Sequence, residues 1–178
     1  MTIVNDSLNH IIESCKKGDS QGFSQLIDMY SGRCYGYYYR LTGNRDLSDE
    51  LLSELFVKLV EKIKSYNGGS FESWLFKIAS NIFHDYLRAK QRRKKLIDTK
   101  KELLEAEITE EKTSGNEQID KLQINLKKLD PETVELIMLR FYSQLSFKEI
   151  AELRSEPIGT TLAKLHRGVK KLRKFMEG

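Results

Sequence analysis

Proline and cysteine are scarce here, with only two of each in 178 residues. So few prolines, alongside abundant Leu, Lys and Glu and a hydrophobic share of 39%, argue against a disordered or all-β chain and for a soluble, helix-rich one. Cys15 and Cys34 stand far apart without a Cys-x-x-Cys pair, and the three histidines do not cluster, so neither a zinc site nor a disulfide framework is supported. Each cysteine is expected to be a buried thiol on the apolar stripe of its own helix, and no metal or other cofactor is expected. Long apolar runs are missing too. The stretch Leu51 to Val60 is interrupted by Ser53, Glu54 and Lys58, so no membrane insertion is expected. The amino terminus carries Asn5, Asp6 and Asn9 instead of a basic-then-apolar signal, so the expected location is cytoplasmic.

What is present is an all-α pattern long enough for two small domains. Leu8, Ile11, Ile12 and Cys15 recur at helical spacing as far as Gly18, and Asp19 is placed to cap a second helix. That helix carries Phe23, Leu26, Ile27, Tyr30, Cys34, Tyr37, Tyr38 and Leu41 on one face and closes near Gly43-Asn44. A third opens around Asp46 and buries Leu47, Leu51, Leu55, Phe56, Leu59 and Ile63. Its outward face is acidic, with Asp49, Glu50, Ser53 and Glu54. Tyr66-Asn67-Gly68-Gly69-Ser70 is the clearest internal loop, and Ser70 can cap the helix that follows. Phe71, Trp74, Leu75, Ile78, Ile82 and Phe83 form the inner face of this fourth helix. Lys77, Ser80, Asn81, His84, Asp85 and Arg88 form the outer one, which runs on into Arg92, Arg93, Lys94 and Lys95.

The formal net charge of +4 is modest, but its distribution is uneven, with an acidic segment between two basic ones. From about Lys100 to Asp120 the chain is rich in Glu, Lys, Thr and Ser and too poor in apolar residues for a core of its own, although Leu103 and Leu104 could be helical or dock. We therefore expect domains at 1–97 and 122–178 with a flexible linker at 98–121. A second bundle starts at Asp130-Pro131-Glu132, with Val134, Ile137, Met138 and Phe141 inward. Ser146-Phe147-Lys148-Glu149 is a capping box opening a short helix, Ser155-Glu156-Pro157 ends it, and a basic helix runs from about Ile158 to Phe175. Short helix, tight turn and basic helix make a helix-turn-helix, the arrangement that lays its second helix in the DNA major groove. Thr160, Lys164 and Arg167 are placed to reach base edges, and the run through His166, Lys170, Lys171, Arg173 and Lys174 suits phosphates. Gly168 costs roughly 1 kcal/mol relative to alanine, so a bend or fraying is expected there.

In these residues the chain resembles the extracytoplasmic-function (ECF) class of sigma factors of bacterial RNA polymerase. The resemblance covers nearly the whole chain. Its first half rests on Gly18-Asp19, Phe23, Leu41-Thr42-Gly43-Asn44-Arg45-Asp46, Glu54, Phe56, the run Phe71 to Asn81 and Asp85-Tyr86-Leu87-Arg88. The second half rests on Leu139-Arg140-Phe141, Leu145-Ser146, Glu149-Ile150-Ala151-Glu152, Pro157-Ile158-Gly159-Thr160 and Leu165-His166-Arg167. It implies an alternative sigma factor that binds core polymerase, recognises promoter DNA and helps open it. Asp49, Glu50, Ser53 and Glu54 would dock on the clamp helices of the largest subunit. Tyr66, Asn67, Gly68, Gly69 and Ser70 would receive an unstacked base, while Lys77, Ser80, Asn81, His84, Asp85, Arg88 and Arg92 hold the minus-ten element. Thr160, Thr161, Lys164, His166, Arg167, Lys170 and Lys171 would meet the minus-thirty-five element. The resemblance further implies contact with the flap of the second polymerase subunit and control by an anti-sigma factor.

The chain departs from the family pattern at Glu50 and Ser53, where Asp and Gln are usual. Arg154, Ser155 and Glu156 replace the usual Leu, Gly and apolar residue of the turn, and Thr161-Leu162 interchanges a polar and an apolar position. Trp74 reads most simply as core. Tyr35 and Tyr39 lie off their stripe, as surface tyrosines or as contacts to single-stranded DNA. His84-Asp85 suggests acid–base chemistry, but neighbouring helix residues diverge and no nucleophile, metal set or phosphate loop accompanies them, so an enzyme is not expected. The rival readings are a stand-alone helix-turn-helix regulator whose first domain senses a ligand or dimerises, and a protein-binding helical scaffold.

Overall fold

A computed structural model of the chain describes residues 2–98 and 117–177, so Leu103, Leu104 and most of the expected linker lie outside the described residues. Among the described residues there are helices and turns but no strand. The order is α1 (Thr2–Lys16), α2 (Ser20–Thr42), α3 (Arg45–Lys62), a single 3₁₀ turn (Ile63–Ser65), α4 (Phe71–Asp98), α5 (Glu117–Leu126), α6 (Pro131–Ile137) running into a π turn (Met138–Tyr142), α7 (Phe147–Arg154) and α8 (Ile158–Glu177).

Short polar side chains set the helix starts by accepting otherwise orphaned amide hydrogens. Asp19 accepts from the Gln21 amide at 3.1 Å, Asn44 from Leu47 at 2.8 Å and Asp130 from Thr133 at 2.8 Å. The third helix is thus capped by Asn44 and starts at Arg45, beside the expected Asp46. Gly43, with φ 62°, closes α2 in the left-handed region, where a Cβ is penalised.

α1 to α4 pack as one unit around Leu26, Cys34, Tyr38, Leu55, Leu59, Leu75 and Phe83, all almost wholly buried. Cys15 and Cys34 are free and buried, and burial pushes the Cys34 thiol up to about 12, so neither is set up for thiolate chemistry. α5 to α8, a second unit in chain order, pack around Leu126, Leu136, Leu139, Leu145, Ile150 and Leu165 and share one continuous apolar core with α1 to α4. In this second unit Phe141 is 60% exposed, not inward as its spacing suggested. The cause is the π turn, in which the Ser143 amide reaches back five residues to the Met138 carbonyl. The wider winding takes Phe141 off the 3.6-residue stripe. Gly168 does not break α8, which runs unbroken from Ile158 to Glu177. It lies where α8 crosses α6, and a Cβ there would stand 2.6 Å from the Thr133 methyl. Glycine's propensity cost is accepted in return for a close helix crossing.

Candidate nucleic-acid and polymerase interface

Along α3, Asp49, Glu50, Ser53 and Glu54 are all exposed, and Ser53 turns its hydroxyl back to the Asp49 carbonyl at 2.8 Å. Farther along the helix lie Val57 and Val60, 57% and 50% exposed. Sequence reading missed these two valines, because an exposed valine looks like core in a helical pattern. The result is an outward helix surface of acids with an apolar end, suited to a partner that presents both bases and apolar groups.

The glycine loop is built differently from expectation. Tyr66 is 5% exposed and lies edge-on to Phe71 and Trp74, with ring centroids 5.4 Å and 5.5 Å away. Its hydroxyl donates to the Gly69 carbonyl at 2.8 Å, and the Lys16 ammonium sits over its ring. Tyr66 is thus the support of the loop and offers no free stacking face. Gly68 and Gly69, at φ 95° and 90°, hold backbone that other residues rarely adopt. Asn67, Gly68, Gly69 and Ser70 remain exposed. Beside them Asn9, Glu13, Lys16, Tyr66, Asn67 and Gly68 line a depression of about 340 Å³, within the size range of small-ligand clefts. Ser70 caps α4 by accepting from the Ser73 amide at 3.1 Å.

α4 splits the expected minus-ten set in two. Lys77, Asn81, Asp85, Arg88 and Arg92 are exposed along one stripe, with Asp85 pairing to Arg88. Ser80 and His84 fall one residue off that stripe, where the second unit buries Ser80 and leaves His84 half-buried. Ser80 is 1% exposed and donates to Glu135 Oε1 at 2.5 Å, while His84 Nε2 lies 3.0 Å from Glu135 Oε2. Ser80 is therefore not the solvent-facing residue expected, and His84 is one only in part. A sequence gives the face of a helix but not which later element will cover it.

The bond to Glu135 raises the His84 pKa above its ordinary 6.5. Burial opposes that shift, attraction to Glu135 and Glu132 on α6 adds to it, and Arg154 on α7 works against it. A histidine raised in this way stabilises the contact below its ordinary pKa, and the contribution is lost as pH rises through the raised value. In a histidine-ring NMR titration the His84 midpoint should therefore lie above 6.5 and fall back in Glu135→Gln. A wild-type midpoint at or below 6.5 contradicts the pairing.

In the helix-turn-helix the capping box is complete, with Glu149 N to Ser146 Oγ at 3.2 Å and Ser146 N to Glu149 Oε2 at 2.7 Å. The unusual turn keeps its shape because Ser155 takes the left-handed conformation, φ 52°, that glycine would take. Glu156 then binds the first turns of α8, accepting from Thr161 Oγ1 at 2.9 Å and pairing with Lys164. Two residues of the expected minus-thirty-five set, of which Lys164 was expected to read a base edge, are thereby withdrawn. Thr161 is fully buried, and the Lys164 ammonium is committed to Glu156. Thr160, His166, Arg167, Lys170 and Lys171 remain exposed on α8. Tyr35 and Tyr39 stack on one another, centroids 6.1 Å apart, and are half-buried.

The chain matches Sigma-70 region 2 over residues 26–93 and Sigma-70 region 4 over residues 126–174. The chain belongs to the sigma-70 family. It is an alternative sigma factor of the ECF class, acting in transcription initiation. It is 28% identical over 174 residues to the ECF RNA polymerase sigma factor SigW of Bacillus subtilis (strain 168), covering 92% of this chain and 93% of that one. It is 29% identical over 170 residues to the ECF RNA polymerase sigma-E factor of Escherichia coli (strain K12), covering 88% and 87%. The sigma factor RpoE of Bartonella quintana, solved in complex with the anti-sigma factor NepR, shares the fold with a TM-score of 0.71 at 21% identity, over 87% of this chain and 96% of that one. These matches set aside the stand-alone regulator and the scaffold. No helix of this sigma factor among the described residues is long and apolar enough to cross a membrane.

Proposed function

We propose that three exposed surfaces divide the work of initiation among themselves. The face of α3 made by Asp49, Glu50, Ser53, Glu54, Val57 and Val60 docks on the clamp helices of the largest polymerase subunit. The loop 67–70 receives an unstacked base, and Lys77, Asn81, Arg88 and Arg92 carry the rest of the minus-ten element along α4. Thr160, His166, Arg167, Lys170 and Lys171 on α8 meet the minus-thirty-five duplex, while the second unit contacts the flap of the second subunit. In this reading residues 1–97 and 122–178 are separate domains and 98–121 joins them. The protein acts by binding alone, as a non-enzyme in the cytoplasm, under an anti-sigma factor of the kind that accompanies the Bartonella relative.

The segregation of charge supports this division. α3 exposes carboxylates, while the outer faces of α4 and α8 expose cations, as one chain needs if it is to grip a basic protein surface and a polyanion together. Glu54→Lys reverses charge at an exposed position on α3. Like charges would then face each other, and affinity for core polymerase should fall by roughly tenfold or more with the helical circular dichroism unchanged. Wild-type affinity in the folded variant removes Glu54 from the docking face.

A further inference from the structure

We propose that the exposed apolar tip of α8, Leu162 with Ile158 beside it, reads the C5-methyl groups of thymine in the major groove, so that this sigma factor selects A·T pairs where the tip meets the upstream element. The inference rests on α8 entering the minus-thirty-five duplex, as proposed above.

Ile158 and Leu162 are 47% and 43% exposed, and they stand one helical turn apart at the start of α8. A single exposed leucine would need no explanation. Here, however, Gly159, Leu162, Ala163 and His166 follow at the i, i+3, i+4, i+7 spacing of one helix face, and all four are exposed. A Cβ on Gly159 would meet nothing within 4 Å, so that face is open to whatever α8 approaches. Beyond it the exposed positions as far as Lys174 are the cations Arg167, Lys170, Lys171, Arg173 and Lys174. An uncharged tip is thus carried on a stem that suits a polyanion, and the charge of the stem makes a nucleic acid its occupant.

The turn before α8 decides which residues are left to read. Thr161 is buried with its hydroxyl on Glu156, and the Lys164 ammonium pairs with the same carboxylate. The interchange of Thr161 and Leu162 relative to the family pattern therefore turns the polar residue inward and the apolar one out. In a helix-turn-helix the amino-terminal residues of the second helix are those that reach base edges. Among the four bases only thymine presents a methyl group there, and an aliphatic side chain gains by covering it. Set against guanine, the same side chain would strip water from N7 and O6 and give no donor back. Small neighbours at Gly159 and Ala163 let the helix come close enough for leucine to touch the base edge. Thr160, also exposed, can hydrogen-bond to more than one base and so leaves the choice to the apolar contact.

The test uses holoenzyme assembled with the full chain as wild type, Leu162→Ala or Leu162→Gln. Both replacements are good helix formers at an exposed position, and helical circular dichroism checks the fold. Each holoenzyme selects from a random pool of promoter-length duplexes. The site that wild type selects is then remade with deoxyuridine in place of thymidine, one upstream position at a time, which removes only the methyl. Wild type should lose about fourfold in affinity at one or two of these positions, the worth of one buried methyl, and about tenfold where the pair becomes G·C. Both Leu162 variants should bind the thymidine and deoxyuridine duplexes alike, and the sites they select should lose the thymine. Three results overturn the proposal: a wild-type site without upstream thymine, wild-type indifference to deoxyuridine, or an undiminished deoxyuridine penalty in the variants. Arg167→Ala with Lys170→Ala separates that failure from failure of the α8 assignment. Weaker binding by this double variant on every duplex keeps α8 in the groove without Leu162 as a reader, and unchanged binding removes α8 from the duplex altogether.

Discussion

Arg167→Ala with Lys170→Ala is expected to abolish most binding to the upstream promoter element, lowering duplex affinity by roughly ten- to a hundredfold at moderate salt. Arg167 and Lys170 are exposed on α8, one turn apart, clear of the turn network that engages Thr161 and Lys164. Each cation that neutralises a phosphate releases counterions, so the slope of log affinity against log salt should flatten by about 0.9 for every phosphate left without its cation. If Arg167 reads a base edge instead, discrimination between sites falls along with affinity. Lys164→Ala should have a smaller effect, since its ammonium already pairs with Glu156. Footprinting the upstream element with holoenzyme, together with the salt dependence of duplex binding, checks both effects. A double variant with a wild-type footprint and slope would turn α8 away from the groove.

The contrast between Lys164 and Arg167 shows how far the sequence could be read. Local signals were legible. The capping box at Ser146, the caps Asp19 and Asp130, the glycine pair at 68 and 69 and the 3.6-residue stripes all act within a few residues, and each appears where its chemistry demands. What was not legible depends on residues distant in the chain. Ser80 and His84 have the polarity of a solvent-facing stripe, yet α6 places a carboxylate 55 and 51 residues away against them. Tyr66 has the chemistry of a stacking platform, but Phe71 and Trp74 take both its neighbourhood and its exposure. Phe141 leaves its inward position through a change of winding that no hydrophobic period reveals. α5 was missed because its buried face is polar. Gln123 is nearly buried, its side chain donating to the Tyr39 carbonyl at 3.1 Å across the seam between the units. Arg154, Ser155 and Glu156 were visible as departures from the family pattern. Their effect, however, is to build a network and not to distort the turn.

Asn67→Ala and Asn81→Ala should each cut promoter opening by roughly tenfold, since holding an unpaired base is worth on the order of 1–3 kcal/mol. Both amides are exposed, one on the glycine loop and one on the outer stripe of α4. From Phe71 to Asn81 the helix rises about 15 Å, so a strand whose flipped base enters at the loop can pass along to Asn81 without leaving the surface. With Tyr66 buried beneath the loop, Asn67 and the backbone of Gly68 and Gly69 are left to read the edge of such a base. An amide suits that task because it offers both a donor and an acceptor. Neither substitution touches the core, so closed-complex binding, which under the proposed division of surfaces depends on duplex contacts at α8 and docking at α3, should hold. Permanganate reactivity of the melted region should drop while polymerase binding to the closed promoter stays near wild type. Templates melted in advance should narrow the defect, because the unpairing that the trapped base offsets is already done. If both variants open promoters normally, the loop and α4 do not hold the melted strand. If opening and closed-complex binding fall together, these residues act in duplex recognition, ahead of the melting step.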